Sequence, residues 1–390
     1  MSRKDILIIS NYFPPETGAA PNRIYSLAEN LTKNGYNTTV LCPLPNYPFG
    51  SIFKEYKGSF IKKTNEDDLT VYRLWLWANN SKNKFIRLFS MLSFSLTLFF
   101  FLLFKKTPKK VIIQCSPLFV GFFAVLVSKL KGKKVILNVS DLWPLAGLEM
   151  GILNKGFYYS ILEKIEVFNY KNSHLIMGQS EEILTHISKK MPDKNTFLYR
   201  NYPDFKTPII QGTKSSEKIK IVYAGLLGIA QGIYKICQEI ELPKNIEFHI
   251  YGNGPEAELI TKIAQEKDNI FYHNSISREK LHEELQEYQL TLIPLKNRIY
   301  GSVPSKIFEY SRLGLPILYL SEGEGSDLVV KNKLGYSIAS NDFKALNEFL
   351  ESLNNKSISL PLKTDIIDTV ERNFDLDIQF KKFLQSISIF

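Results

Sequence analysis

A chain of 390 residues is too long for one compact core and suits two domains with a short tail. Its 44% apolar and 23% charged residues exclude both a disordered chain and a polytopic membrane protein, and three scattered cysteines (Cys42, Cys115, Cys237) without a C-x-x-C exclude a disulfide framework and a Cys/His zinc site. The net charge of +10 is lopsided: residues 1–205 carry 27 Lys+Arg against 15 Asp+Glu, a net of +12, and the remainder carries 22 against 24, a net of −2. A one-sided basic surface points to a polyanionic partner, either nucleic acid, anionic lipid or a phosphate-bearing substrate. Lysine dominates and arginine is sparse in the basic half, which argues against nucleic acid.

In chain order, Met-Ser-Arg-Lys-Asp runs directly into the apolar run Ile6–Ser10, with no signal-peptide h-region, so a cytoplasmic location is expected. Ile6–Ser10 suits a buried parallel strand. A Pro/Gly loop follows (Asn11 to Pro21), then a helix with Ile24, Leu27, Ala28 and Leu31 on one face, ended by Gly35. Thr38–Cys42, Val111–Gln114, Lys134–Val139 and Leu175–Met177 read as further strands, each followed by helical pattern.

Between the second and third of these lies Leu88 to Phe104, an apolar run preceded by Lys82, Lys84 and Arg87 and followed by Lys105, Lys106, Lys109 and Lys110. As a helix it spans about 26 Å, short of a ~30 Å hydrocarbon core. Ser90, Ser93 and Thr97 form a narrow polar stripe along it. Two readings stay open, a helix lying in the headgroup plane with snorkelling lysines or a buried helix of the first domain, with a transmembrane span third because a globular α/β pattern continues on both sides.

Tyr202 to Ser216 reads as the linker. The pattern then restarts, with strands at Lys220–Ala224, Ile246–Tyr251, Asn269–Tyr272, Leu290–Ile293, Ile317–Leu320 and Tyr336–Ile338, and an aromatic helical tail from about Glu371. The expected domains are 1–205, 206–370 and a tail at 371–390 that packs back on the first domain. Each domain is expected to be a doubly wound parallel sheet, the two facing a cleft, with ligands beyond the C-terminal ends of the strands.

The strand-to-helix loops hold the candidate chemistry. Gly18, with Ala19 and Ala20, permits close backbone approach before a helix. Gly225, Gly228 and Gly232 form a glycine-rich junction with the wrong spacing for a dinucleotide fingerprint. Gly252 and Gly254 allow a sharp turn before Pro255. Pro304 and Ser305 begin a helix whose free N–H groups suit a diphosphate, and Lys306 adds a cation. Glu309 shares a helical face with Lys306, either as a ribose ligand or as a surface Lys–Glu pair. Asp141, in Asp-Leu-Trp-Pro, is a candidate catalytic or acceptor-orienting carboxylate.

Taken together, Phe-Pro-Pro-Glu-Thr-Gly-Ala-Ala, Ser116-Pro-Leu-Phe, Asp141-Leu-Trp-Pro, the Gly225–Gly232 loop, Gly252-Asn-Gly-Pro, Pro304-Ser-Lys and Leu313-Gly-Leu-Pro resemble the family 4 retaining glycosyltransferases of the GT-B fold. The resemblance is to the bacterial branch that adds amino-deoxy sugars to lipid-linked precursors of surface polysaccharides. It implies a nucleotide-sugar donor, UDP-linked, and a polyprenyl-diphosphate-linked sugar acceptor. Gly18, Gly225, Gly228, Arg298, Ser305 and Lys306 would hold the donor diphosphate. Glu309, Gly252, Ser275 and Ile276 would hold ribose and base, and Asp141 would serve the acceptor.

Two departures stand out. The first acid of the family's E-x7-E motif falls at Gly301, and the usual Arg and Lys of the glycine loop are replaced by Leu226 and Gln231. Lys306, Arg298 and backbone N–H groups would therefore carry more of the leaving-group charge. No D-x-D motif stands at a donor loop, Asp375-Leu-Asp377 lying in the tail, so no metal or other cofactor is expected. Lys105, Lys106, Lys109 and Lys110 would meet an anionic membrane surface, placing the enzyme on the inner face of the bacterial inner membrane. The alternatives are a nucleotide-sugar epimerase or phosphorylase on the same fold, or a non-catalytic membrane-surface binding protein.

Overall fold

The computed structural model describes residues 4–47, 49–79, 81, 83–205 and 218–389. They form two compact units, Tyr202–Leu376 being one and the rest of the chain, Asp377–Phe390 included, the other. Residues 206–217, most of the expected linker, lie outside the described residues, as does Lys82.

The first unit is built on eight strands: β1 (Lys4–Ile9), β2 (Tyr36–Pro43), β3 (Ile61–Glu66), β4 (Leu69–Leu74), β5 (Lys110–Gln114), β6 (Lys134–Val139), β7 (Leu175–Gly178) and β8 (Thr196–Leu198), in the order β3-β4-β2-β1-β5-β6-β7-β8. All neighbours are parallel except the β3–β4 hairpin, so this sheet is mixed and not wholly parallel as expected. The hairpin escapes sequence reading because Ile-Lys-Lys-Thr-Asn-Glu has no apolar alternation and its turn carries no glycine. Asp67 and Asp68 supply the two positive φ angles, 47° and 63°, that a two-residue hairpin turn needs. The central strands are buried on both faces, which is why they read as unbroken apolar runs. Phe380, Phe383 and Ile387 of the C-terminal helix enter this core beside Ile24, Leu27 and Tyr199. The tail is fixed further by Gln379, which bonds both the N–H and the carbonyl of Arg200.

The apolar helix runs from Lys84 to Phe104, beginning four residues earlier than expected, and at ~1.5 Å per residue is about 31 Å long. Among the described residues no helix is long and apolar enough to cross a membrane. One side of it, Phe94, Leu98 and Leu102, is buried. The expected polar stripe does not face water freely. Ser93 Oγ accepts from Trp77 N and donates to Ser90 O, and Thr97 Oγ1 donates to Ser93 O.

The second unit holds β9 (Ile219–Ala224), β10 (Ile246–Tyr251), β11 (Ile270–His273), β12 (Leu290–Pro294), β13 (Ile317–Leu320) and β14 (Gly335–Ile338) in the order β11-β10-β9-β12-β13-β14, all parallel. The order reverses at β9/β12, the switch point where loops diverge and ligands bind in such sheets. The loops after β9 and β10 touch backbone to backbone there. A Cβ on Gly252 would stand 1.9 Å from Gly225 O, and one on Gly254 would stand 2.4 Å from Leu227 O. Gly252 also has φ +148°, outside the reach of an ordinary side chain.

The Gly252→Ala variant is expected to lose about 3 kcal/mol from combined strain and overpacking, an apparent Tm drop of roughly 6–12 °C for a unit of this size. Gly132→Ala, at φ +60° with open space around it, is the control and should cost only about 1 kcal/mol. Equal losses in thermal melts of the two variants would refute the loop–loop account.

Candidate functional site

In the second unit the candidate residues gather around the carbonyl of Ala224, the last residue of β9. Ser305 caps a two-turn helix, Lys306–Arg312. From its first turn the Lys306 side chain runs under the glycine loop, and its Nζ donates to Ala224 O. Tyr310 Oη donates to the same oxygen at 2.9 Å. The amine lies 4.7 Å from the centre of the Tyr223 ring, a favourable cation–π placement. Gly225 has φ +156°, which L side chains rarely adopt, and a Cβ there would stand 2.0 Å from Lys306 Nζ and displace the amine. Burial pushes Lys306 down to about 8, against which Glu309 gives a smaller upward pull.

Glu309 does not pair with Lys306. Its Oε1 accepts from Arg278 Nε at 2.7 Å and faces His282 Nε2 at 2.8 Å. Burial pushes the carboxyl up, but His282 and Arg278 outweigh it and hold Glu309 below the ordinary carboxylate value. Both partners engage Oε1, and among the described residues Oε2 has none. The carboxylate is therefore oriented by two donors and keeps one acceptor oxygen for a diol. Sequence reasoning missed Arg278 and His282. Their only signal is their spacing on one helix face, four residues apart after the Ser277 cap.

The other expected residues of this unit are placed as follows. Gly228 lies in the β9 loop, and its carbonyl accepts from Gln231 N and Gly232 N. Gly252 is spent on the loop–loop contact. Ser275 is exposed in the loop after β11, and Ile276 is half-buried against the apolar cluster around Ile307 and Phe308. Arg298 packs over the Tyr300 ring and against Gly323, in the loop after β13.

In the first unit the loops after β1 and β6 emerge from the same edge of the sheet. Gly18 caps the helix Ala19–Lys33 with φ +136°, and Asn22 N donates to its carbonyl. The loop before it is braced by residues that sequence reading passed over. Buried Glu16 accepts Asn46 N at 2.8 Å and Tyr47 N at 2.9 Å, and burial raises its carboxyl. Arg73 Nη2 donates to Pro14 O while its guanidinium grips Glu66. Asp141 is exposed and accepts Ser116 Oγ at 3.1 Å. Arg23 donates to Ser140 Oγ, immediately before Asp141, and to Gln179 Oε1. Its Nε is buried without a partner, and no carboxylate lies in salt-bridge reach among the described residues. Burial lowers Arg23, with Asp141 as the leading opposing charge.

Lys105, Lys106 and Lys109 are exposed, but Lys110 is not available as a surface cation. Its amine donates to Ile387 O at 2.6 Å, and burial lowers it. The expected four-lysine patch is therefore three.

Comparison with known proteins accords with this geometry. Residues 205–369 match the family model of glycosyl transferases group 1, so this segment is a group 1 domain and the chain is a glycosyltransferase. Among curated proteins none matches the sequence. Among solved structures, sucrose-phosphate synthase from Thermosynechococcus elongatus is 12% identical with a TM-score of 0.72, covering 99% of this chain and 98% of that one. Anabaena HepE in complex with UDP is 10% identical with a TM-score of 0.70, covering 99% and 100%. The lipopolysaccharide outer core galactosyltransferase WaaB is 16% identical with a TM-score of 0.65, covering 98% and 99%. At these identities they share the fold, two α/β domains of the GT-B type.

The enclosed amine of Lys306 carries a pH signature. Its folded value, about 8, lies below the ordinary 10.5, so between these values the unfolded chain holds more protons and stability rises with pH. Below pH 8 the burial cost is present in full. Denaturant unfolding at pH 7.5 and 9.5 should show wild type gaining stability relative to Lys306→Met. An identical pH response in both would place the amine in solvent.

Proposed function

We propose that this glycosyltransferase moves a sugar, an N-acetylated amino-deoxy hexose, from a UDP-linked donor to a polyprenyl-diphosphate-linked acceptor, with retention and without a metal, in building a surface polysaccharide. The observation that carries the reading is the pairing on one short helix of an enclosed cation, Lys306, and a carboxylate with one open oxygen, Glu309, beneath a glycine loop at a sheet switch point. A diphosphate needs the cation and close backbone N–H groups, and a ribose needs the carboxylate. That HepE was solved with UDP, and that WaaB acts on lipopolysaccharide outer core, supports the donor and acceptor classes.

In this reading the bond between the anomeric carbon and the diphosphate oxygen breaks, and its electron pair leaves with the diphosphate. Lys306 and the Gly225-loop backbone stabilise that developing charge. The acceptor hydroxyl attacks from the face the diphosphate leaves and passes its proton to a diphosphate oxygen. Asp141, held by Ser116, orients the acceptor. The aromatic side chains Trp75 and Trp77, with Phe60 stacked on Trp75 at 6.0 Å, are exposed beside the apolar helix. Together with Lys105, Lys106 and Lys109 they suit a peripheral site on the inner face of the inner membrane.

Incubation with a labelled UDP-linked N-acetylamino sugar, with and without a polyprenyl-diphosphate-linked acceptor, tests the chemistry. Label should enter the lipid fraction at a rate unaffected by EDTA, and Lys306→Ala should lose roughly 10²–10³ in turnover. Label found in an isomeric free nucleotide sugar would make the chain an epimerase, release that requires added phosphate would make it a phosphorylase, and no turnover would leave only a surface-binding role. For the membrane, Lys105→Gln/Lys106→Gln/Lys109→Gln should float with anionic vesicles about a hundredfold less strongly, at ~1 kcal/mol per lysine, while UDP binding is kept. Unchanged flotation would remove the membrane clause.

A further inference from the structure

The first unit carries a second basic feature, at the edge of the sheet opposite to Gly18 and Asp141. A pocket of about 500 Å³ opens where β6, β7 and β8 begin, lined by Lys129, Lys133, Lys134, Lys171 and Lys194 with Asp193 the one acid. The helices Leu118–Leu130 and Phe157–Lys171 end beside it. Helix C-termini attract lysines by themselves, and part of the cluster is explained this way. Lys194 Nζ donates to Lys171 O and Ser173 O, and Lys133 Nζ donates to Thr107 O and Pro108 O. The charge balance decides the rest. Two helix ends supply roughly −0.5 each and Asp193 supplies one negative charge, which leaves the five lysines in excess by about three. Lys134 and Lys171 are exposed and, among the described residues, have no hydrogen bond or ion pair on their amines. Burial, with Lys134 and Lys194 nearby, also lowers His174 on the pocket wall.

The surroundings identify the source of the missing anion. The segment 105–109 is bonded to residues beside the pocket: Lys131 Nζ donates to Lys105 O, and Lys134 N donates to Lys109 O. Next in the chain to Lys105 and to Lys129, two large apolar side chains stand in solvent, Phe104 at 81% exposure and Leu130 at 68%. A soluble anion gives no reason for exposed apolar groups beside its site, whereas a lipid headgroup brings apolar contact with it. We propose that this pocket binds the phosphomonoester headgroup of an acidic phospholipid through Lys134, Lys171 and Lys129, with Phe104 and Leu130 entering the acyl boundary. The proposal rests on the membrane clause of the functional reading and adds to it a headgroup-selective site. A phosphomonoester carries up to two charges near neutral pH, like a phosphorylated side chain, and suits an excess of three cations better than a singly charged diester does.

The test is flotation of the full chain with vesicles of phosphatidylcholine containing either phosphatidic acid or phosphatidylglycerol, adjusted to equal surface charge. Wild type should prefer phosphatidic acid. Lys134→Gln/Lys171→Gln should lose that preference and bind phosphatidic acid vesicles about thirtyfold less, at ~1 kcal/mol per lysine. Neither amine is bonded within the protein, and an unchanged melting temperature verifies the fold. Lys105→Gln/Lys106→Gln/Lys109→Gln should weaken binding to both vesicles and keep the preference. Equal wild-type binding to both vesicles, or a preference that survives in Lys134→Gln/Lys171→Gln, overturns the proposal. So does variant-sensitive calorimetric binding of inorganic phosphate as tight as that of the vesicles, which would make the pocket a soluble-anion site. UDP binding is measured separately: a chain that binds UDP and floats with neither vesicle refutes the lipid site and spares the donor reading.

Discussion

The carbonyl of Ala224 is the point on which the second unit turns. It closes the central strand β9 and takes both the Lys306 ammonium and the Tyr310 hydroxyl. Those two bonds pin the helix Lys306–Arg312 to the strand end. The Lys306 amine then lies where a side chain on residue 225 would displace it, and Gly225 O, a backbone atom, admits only glycine at 252. A single buried acceptor therefore fixes the amine, the glycine loop and the neighbouring loop together. Glu309, on the same helix, pairs instead with Arg278 and His282, so it acts on Lys306 only through a smaller coulombic pull.

The first unit shows the same arrangement of charges. Its exposed group is an acid, Asp141, and its enclosed group is a cation, Arg23. Arg23 crosses from the first helix to Ser140 and Gln179 at the ends of β6 and β7, so it splices three loops of one edge. Glu16 and Arg73 do the same for the loops after β1 and β2. The proposed function uses this division: an accessible carboxylate would orient the incoming hydroxyl, and a desolvated cation would act most strongly on a departing diphosphate, because its charge is poorly screened where water is excluded.

The parallel strands were legible because strands buried on both faces must be written as short apolar runs. Ile6–Ser10, Lys134–Val139 and Ile246–Tyr251 all fall within a residue or two of the observed bounds. What the sequence concealed was whatever tertiary context alone creates. The β3–β4 hairpin has polar strands and a glycine-free turn, so neither periodicity nor punctuation marks it. The site shows the same division. Glycines announce close approach, and they led to Gly225 and Gly252, yet not to which neighbour makes them necessary. Lys306 and Glu309 looked like a pair because helical spacing brings such residues together. Arg278 and His282 displaced that pairing from a separate helix, and their spacing on one face of it does not say which acid they meet.

The helix Lys84–Phe104 has the buried face that one reading of its sequence expects, and its other face is what the proposed membrane site rests on. Phe94, Leu98 and Leu102 face the core, while Phe89, Leu96, Phe100 and Phe104, spaced by seven and four residues, emerge on the opposite side. A helix with one buried face has no need of apolar residues on the other. Each large apolar side chain moved fully out of water gains roughly 1.5–3 kcal/mol, and these four are between 48% and 81% exposed. In the proposed membrane reading, partial insertion of the four would supply several kcal/mol, and Lys105, Lys106 and Lys109 would add roughly 1 kcal/mol each against anionic lipid. Neither contribution alone anchors a protein stably, which is the two-signal logic of reversible membrane attachment. A helix written apolar all round and closed by lysines supplies both from one element, with the core face making it part of the fold and the outer face making it available to a lipid surface.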